Sequence, residues 1–369
     1  MPASSSSSSK GALVHVHSNS VNGEIPTTMK ALLVPRYGLL EVATDVPVPK
    51  TLKPNEVLIR VHATSVNALD WRLYTAQPAF LRCLLGCFQP RYPTILGADV
   101  AGRIVACGSD VNTMDADDDA ADSGKQPIQW KVGDEVIADA SAETRFGAMA
   151  EYVVISASFL VRKPPSLSFA QVAGLPMAAH TAWEALHAGG SIEAEESVLV
   201  NGASGGVGLY AVQLAAAMGA RVTAVCSASK FDLVKQGGAV DAVDHKTVDF
   251  TSLSPNKRFQ KIIDIHATRP FSAINRVLHP MGKYIVLGGP VSTLFKFVFV
   301  SAWNSRVVVV SSEANVENLG TLVEWMKEGK IKTFVDRVVP LSEAASAVKH
   351  VESGQVRGKV IVSVLEEEK

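Results

Sequence analysis

Apolar and polar positions change their period twice along this chain. From Met29 the spacing is two: Lys30–Val34 and Glu56–Ala63 predict strands, and VLIRVHA alternates as a half-buried strand does. A Pro-rich connection (Pro47, Pro49, Pro54) separates them. Arg103–Cys107 predicts another strand, while Trp130–Val136 and Gly147–Val153 read as strand-and-turn units, so the first lobe predicts a compact β-barrel-like domain. Leu167–Gly189 is Ala-rich with helical spacing, interrupted at Pro176. After it, short β-branched runs alternate with helices. Ser197–Asn201 and Arg221–Cys226 predict buried strands on either side of a helix over Leu209–Met218, stopped by Gly219. Gln260–Ile265, Lys283–Gly289 and Arg306–Ser311 predict three further strands, and Asn315–Lys330 and Ser342–Glu352 two amphipathic helices.

Between the first of these strands and its helix lies Gly202-Ala-Ser-Gly205-Gly206-Val-Gly208. Strand, glycine turn, helix, strand is the unit that seats a dinucleotide pyrophosphate on a helix N-terminus, where free N–H groups and the helix dipole favour an anion. Ser204, Gly205, Gly206 and Val207 are the expected contacts. A site for the unphosphorylated dinucleotide places Asp or Glu about 20 residues on, at the ribose 2′-hydroxyl. Here that place reads Cys226-Ser227-Ala228-Ser229-Lys230, without a carboxylate before Asp232. A hydroxyl and an ammonium suit a 2′-phosphate, which a carboxylate would repel. NADPH is the expected cofactor, with Ser227 and Lys230 reading the phosphate.

Composition adds limits. The 369 residues favour two domains, and a net charge of −1 gives no electrostatic case for nucleic acid. Cys83, Cys87, Cys107 and Cys226 are too scattered for a disulfide framework, which suits a reducing compartment. No apolar run reaches the roughly 18 residues of a spanning helix. Residues 1–28 hold eight serines, one lysine and one glutamate, and read either as a disordered tail or as an organelle signal. The expected location is cytoplasmic or, alternatively, the chloroplast stroma or inner envelope surface. Val111–Gln129 carries an acidic run that reads as a solvated loop. Val291–Ala302 (VSTLFKFVFVSA) is apolar and aromatic; pocket wall, dimer surface and peripheral membrane contact remain open for it.

Five stretches, taken together, resemble the medium-chain dehydrogenase/reductase family, in its zinc-independent quinone oxidoreductase branch. They are Asn67-Ala-Leu-Asp70-Trp71, Gly97-Ala-Asp99-Val-Ala-Gly102, Lys131-Val-Gly-Asp-Glu-Val136, Ala203-Ser-Gly-Gly-Val-Gly208, and the tail Pro340-Leu-Ser-Glu-Ala with Gly358-Lys-Val-Ile-Val. The similarity is greatest to plant chloroplast-envelope quinone oxidoreductase-like proteins. It implies an α/β chain: a GroES-like β-barrel substrate domain over 29–165, completed by 334–369, and a Rossmann doubly wound parallel sheet over 166–333. Arg306–Ser311 matches the strand that relatives pair in dimers, so a homodimer is expected; an unpaired strand so apolar would also be an aggregation hazard. Zinc relatives carry a Cys near the Asn67 segment and Gly-His-Glu near Gly97; Val66-Asn67 and Gly97-Ala98-Asp99 stand there, so no metal is expected. Asn67 and Thr181 are implied nicotinamide contacts. His245 stands where relatives often have a Tyr beside the adenosine phosphate, and His266, Leu287, Gly288 and Gly289 fall at strand ends lining the cofactor crevice, with His266 also open to a reading as a packing residue. His180, beside Thr181, reads equally as a packing residue.

The chemistry this implies is hydride addition to an enone, enal or quinone, which are electrophilic enough without a Lewis acid. Arg72 is the candidate donor to a developing enolate oxygen, Asp70 orients its loop, and Tyr74 is an outside candidate for proton donor. The alternative is a non-catalytic NADPH-binding protein on the same fold. Only turnover separates the two.

Overall fold

The computed structural model describes residues 23–77, 82, 95–112, 129–142, 146–253, 258–311 and 313–365, with two pieces at 14–15 and 19–20. The alternating stretches of the first lobe become β1 (Thr28–Arg36), β2 (Leu39–Pro47), β3 (Glu56–Val66), β4 (Asp99–Cys107), β5 (Glu135–Asp139), β6 (Tyr152–Ser156) and β7 (Val161–Arg162). Strand β2 falls in what the sequence reads as a Pro-rich connection. It forms an antiparallel ribbon with β1 and is only half-buried, so its apolar alternation is weak. The remaining strands of the chain are β8 (Ser197–Asn201), β9 (Arg221–Cys226), β10 (Asp241–Asp244), β11 (Phe259–Asp264), β12 (Leu278–Val286), β13 (Val307–Val309), β14 (Val335–Pro340) and β15 (Lys359–Ser363).

Strands β8 to β13 form one parallel sheet in the order β10-β9-β8-β11-β12-β13. That is a doubly wound sheet, and its strand order reverses between β8 and β11, where such sheets open a binding crevice. The other large sheet runs β7-β5-β4-β3-β15-β14. Its centre is β3, which pairs with β4 on one edge and, on the other, with β6 near Glu56–Arg60 and with β15 near Ala63–Val66. The C-terminal strands therefore come home to the first lobe, bringing Gly358 and Lys359 beside Val66 and Asn67.

The helices are α1 (Ala68–Thr75), α2 (Phe169–Ala173), α3 (Pro176–His187), α4 (Gly206–Ala217), α5 (Phe231–Gln236), α6 (Phe271–Val277), α7 (Val291–Trp303), α8 (Val316–Lys327) and α9 (Ala344–Glu352). Pro176 opens α3 at its first turn, where the missing N–H costs nothing. One buried cluster runs from Val198, Val200 and Tyr210 in the parallel sheet and α4 to Ala63, Ala101, Ile137 and Ile361 in the barrel sheet. That shared apolar seam fixes the two sheets against each other.

Two short pieces of the N-terminal segment are paired, which departs from the disordered tail expected there. Val14–His15 lies antiparallel to Thr51–Leu52, and Asn19–Ser20 to Gly23–Glu24. Backbone hydrogen bonding to an available edge orders them despite their polar, Ser-rich surroundings. Residues 1–13, 16–18 and 21–22, the acidic run of 113–128, Cys83, Cys87 and most of the loop at 78–94 lie outside the described residues.

Candidate active site

The glycine turn sets the first wall of the site. Gly202 takes φ +88°, and a Cβ on Gly208 would overlap the Gly202 carbonyl oxygen, so α4 can sit this close to β8 only because position 208 is glycine. Helix α4 starts at Gly206, three residues before the apolar periodicity begins, because the turn itself supplies its first residues. The Gly206 N–H faces the Gly358 carbonyl across the parallel bridge of Gly205 with Gly358, whereas the N–H groups of Val207 and Gly208 have no backbone acceptor among the described residues. They are the free donors an anion needs, and a Cβ at Gly205 would meet only one atom, 3.6 Å away. The cradle fits a pyrophosphate.

At the end of β9, Ser227 Oγ lies 3.1 Å from His245 Nε2, so the histidine that replaces the expected aromatic is tied to the same place. Lys230 Nζ donates to the Val356 carbonyl oxygen at 2.8 Å, and Arg357 Nη1 to the Ser229 carbonyl oxygen at 3.2 Å. Burial lowers the Lys230 pKa, and the Arg357 charge adds to the effect. Sequence spacing does not reveal Arg357, which belongs to the returning barrel segment, 127 positions beyond Lys230. His266 packs on the turn, with its Cδ2 and Nε2 3.0 Å from where a Gly202 Cβ would stand.

The facing wall is a buried polar knot at the end of β3. Asp99, wholly buried, accepts from Asn67 Nδ2 at 2.9 Å, from the Met177 N–H at 2.8 Å, from Lys359 Nζ at 3.2 Å and from the Ser65 hydroxyl. Asn67 Oδ1 accepts from Lys359 at 2.6 Å. Asp70 takes the Asn67 N–H at 2.7 Å and the Gly97 N–H at 3.0 Å, capping α1 and locking the loop that presents Asn67. Burial pushes Asp70 up to about 7, and burial together with the Asp99 charge pushes Asp139 up to about 6. Thr181 Oγ1 donates to the Met177 carbonyl oxygen at 2.7 Å, on the same first turns of α3.

Asp139 gives a pH test. Its pKa is about 6 when folded against 3.8 for the ordinary group, so the folded state holds this proton to higher pH. The resulting stability is present in full below pH 4 and lost as pH rises through about 6. Asp139→Asn should therefore gain on wild type, by roughly 2 kcal/mol, between pH 4.5 and 7.5 in urea unfolding. Comparing variant with wild type cancels His62 and His180, whose burial-lowered pKa values act in the opposite sense. A difference that does not change with pH would refute the assignment.

Arg72 joins the two walls. Its guanidinium carbon lies 5.4 Å from the Trp71 ring centroid, and Nη2 is 4.0 Å from where a Cβ on Gly288 would stand. Its side chain is half-buried and donates no hydrogen bond to any described residue, and burial lowers its pKa. Gly288 and Gly289, with Leu287, follow β12. A Cβ on Gly288 or Gly289 would come within 2.6 Å of the carbonyl oxygen of Ile265 or of His266, so the strand ends pack backbone to backbone. Tyr74 does not fit as a proton donor. It lies two residues past Arg72, on another face of α1, and its hydroxyl bonds Glu352 of α9, which together with burial pushes it up to about 12. His180 packs between α3 and α8, with Asn318 Nδ2 at 3.4 Å and Glu184 at 3.5 Å.

Two family models match the chain: "Alcohol dehydrogenase GroES-like domain" over residues 53–165 and "Zinc-binding dehydrogenase" over 237–362. The chloroplastic quinone-oxidoreductase homolog of Spinacia oleracea is 35% identical over 348 residues, covering 90% of this chain and 98% of that relative. The chain belongs to the medium-chain dehydrogenase/reductase family. Like its relatives it is an oxidoreductase. The 2-methylene-furan-3-one reductase of Solanum lycopersicum is 31% identical, covering 98% of this chain and 85% of that protein. The solved quinone oxidoreductase from Coxiella burnetii superposes with a TM-score of 0.78 at 28% identity, over 92% of this chain and all of that one.

The second model's description implies zinc, and the residues do not fit it. Among the described residues no three His, Cys, Asp or Glu side chains converge as a metal would need. At the wall where the superfamily's zinc ligands fall, Ala98 offers no donor and the Asp99 oxygens are taken by an ammonium, an amide, a hydroxyl and a backbone N–H. A cationic side chain already balances that carboxylate.

Proposed function

We propose that this chain is an NADPH-dependent reductase that adds hydride to an α,β-unsaturated carbonyl compound or a quinone without a metal. The observation that carries the reading is Arg72: a desolvated guanidinium with no acceptor among the described residues, between the Asn67 loop and the strand ends at Gly288. A charged donor left free in a cleft favours a ligand that develops negative charge on oxygen. The glycine-turn donors support a dinucleotide, and the Ser227, Lys230, Arg357 and His245 cluster supports NADPH over NADH. When bound, the reduced nicotinamide supplies the hydride. The chain's own part is to grip the pyrophosphate at α4, orient the nicotinamide through Asn67 and Thr181, shield the crevice, and hold the substrate oxygen on Arg72. Solvent supplies the closing proton, since Asp70 is sealed by two backbone N–H groups and Tyr74 by Glu352.

The domain division at 29–165 with 334–369 and 166–333 places this crevice between the proposed halves. No helix among the described residues is long and apolar enough to cross a membrane. Helix α7 buries Phe297 and exposes Phe295, Phe299 and Trp303 beside edge strand β13. A second copy pairing at that edge is the proposed cover, and sedimentation as a monomer at micromolar concentration would remove it. The chloroplast names of several relatives favour the organelle over the cytoplasm, which a fluorescent fusion of the full chain would decide. The functional test is consumption of NADPH against a panel of enones, enals and quinones. Turnover with at least one class is expected. Tight NADPH binding without turnover on any would leave the non-catalytic reading.

A further inference from the structure

Lys359 belongs to the barrel's returning strand, is 3% exposed, and has no part in the chemistry above. Its stem lies against the cofactor turn: a Cβ on Gly206 would stand 2.8 Å from Lys359 Cδ. Its ammonium ends in the opposite wall, 2.6 Å from Asn67 Oδ1, 3.2 Å from Asp99 Oδ2 and 3.3 Å from the Val66 carbonyl oxygen. Three acceptors match three ammonium hydrogens. The preceding Gly358 donates its N–H to the Ser204 carbonyl oxygen at 3.0 Å. With φ +104°, it approaches Phe334 too closely for any Cβ, so this residue pair is built to lie on the turn.

We propose that Lys359 is a positioning residue that couples occupancy of the glycine turn to the orientation of the Asn67 amide. An Asn side chain has two nearly isosteric orientations, related by a flip. Here the ammonium faces Oδ1 and the Asp99 carboxylate faces Nδ2, so the flipped amide would set NH2 against a cation and oxygen against an anion. One orientation is left, with the Asn67 oxygen committed to Lys359 and to the first turn of α1 and one N–H of its amide left for a ligand in the crevice. Pressure on Gly206 reaches this amide through the lysine stem without passing through the sheet. The proposal rests on the reading that NADPH occupies the turn, and its test separates the two.

Lys359→Met alone leaves Asp99 buried and uncompensated and risks unfolding, so the decisive variant is Lys359→Met with Asp99→Asn, which removes both charges. Lys359→Arg keeps the charge. Hydrogen exchange is followed with and without NADPH over residues 202–208 and 66–72, together with NADPH titration and steady-state turnover. In wild type NADPH should slow exchange in both stretches. In the folded double variant it should still protect 202–208 and bind within about fivefold of wild type, but lose protection at 66–72, while kcat falls at least about 30-fold. Lys359→Arg should recover most of the 66–72 protection. A folded double variant that keeps 66–72 protection and a kcat within about threefold of wild type overturns the proposal. Protection confined to 202–208 in wild type overturns the coupling alone, whereas no NADPH protection anywhere removes the cofactor reading and the coupling with it.

Discussion

Arg72→Ala should lower kcat on an enone or quinone by roughly 10²- to 10³-fold, the usual loss when one charged donor to a developing oxyanion is removed. The guanidinium is held by packing on Trp71 and by its neighbour Gly288, with no carboxylate committing its donors among the described residues. Its hydrogen bonds are therefore available to a ligand without first breaking a protein contact. NADPH affinity should change far less, because the residues proposed for its pyrophosphate and 2′-phosphate lie elsewhere in the site. Arg72→Lys should recover only part of the loss, since an ammonium on a flexible stem lacks the planar fork that stacks on Trp71. Steady-state kinetics beside an NADPH titration separates the two effects. Turnover unchanged for several substrates would make Arg72 a packing residue.

The second large effect concerns cofactor choice. Lys230→Ala should weaken NADPH binding by about 10- to 100-fold and leave NADH almost untouched, because each charge-assisted bond to the 2′-phosphate is worth roughly 1.5–3 kcal/mol. Lys230 belongs to the 227–230 loop and Arg357 to the returning barrel segment, and each already bonds a backbone carbonyl of the other's stretch. Removing both side chains should cost on the order of 10³-fold for NADPH, somewhat less than additive because the two cations share one dianion. Ser227→Asp should go further toward NADH by adding repulsion for the phosphate and an acceptor for the 2′-hydroxyl. Isothermal titration of both cofactors into each variant gives the answer. Equal losses for NADH and NADPH would make these residues structural, and a wild type preferring NADH would end the assignment.

The central strands of the parallel sheet were legible because each carries a short β-branched apolar core. The polar edge strand β10 (Asp241–Asp244) has too little apolar pattern to show, and β12 begins at Leu278, ahead of its apolar run. Ser197–Asn201 and Arg221–Cys226 have the ends expected of them. Strand β2 was not legible, since a half-buried ribbon imposes little periodicity on Leu39–Pro47. The site divides the same way. The glycine turn, Ser227 and Lys230 are contiguous in sequence and carry their own geometry. Arg357 and Lys359 are not, because what places them is the pairing of β15 with β3, across almost 300 residues. The tail Gly358-Lys-Val-Ile-Val stood out as a family mark, yet only its return beside Asn67 gives the lysine a task. Tyr74 shows the opposite failure: motif proximity suggested a donor, and helix geometry turned it toward Glu352.

The central claim is hydride delivery to an electrophilic carbon, and isotope transfer tests it most directly. Wild-type protein is supplied with an enone and, in parallel reactions, with NADPH deuterated at either face of nicotinamide C4. One label, and not the other, should appear in the product at the carbon β to the carbonyl, with the solvent-derived proton at the α carbon. Product without deuterium at that carbon from either cofactor, or no product at all from any enone or quinone tried, would contradict the account.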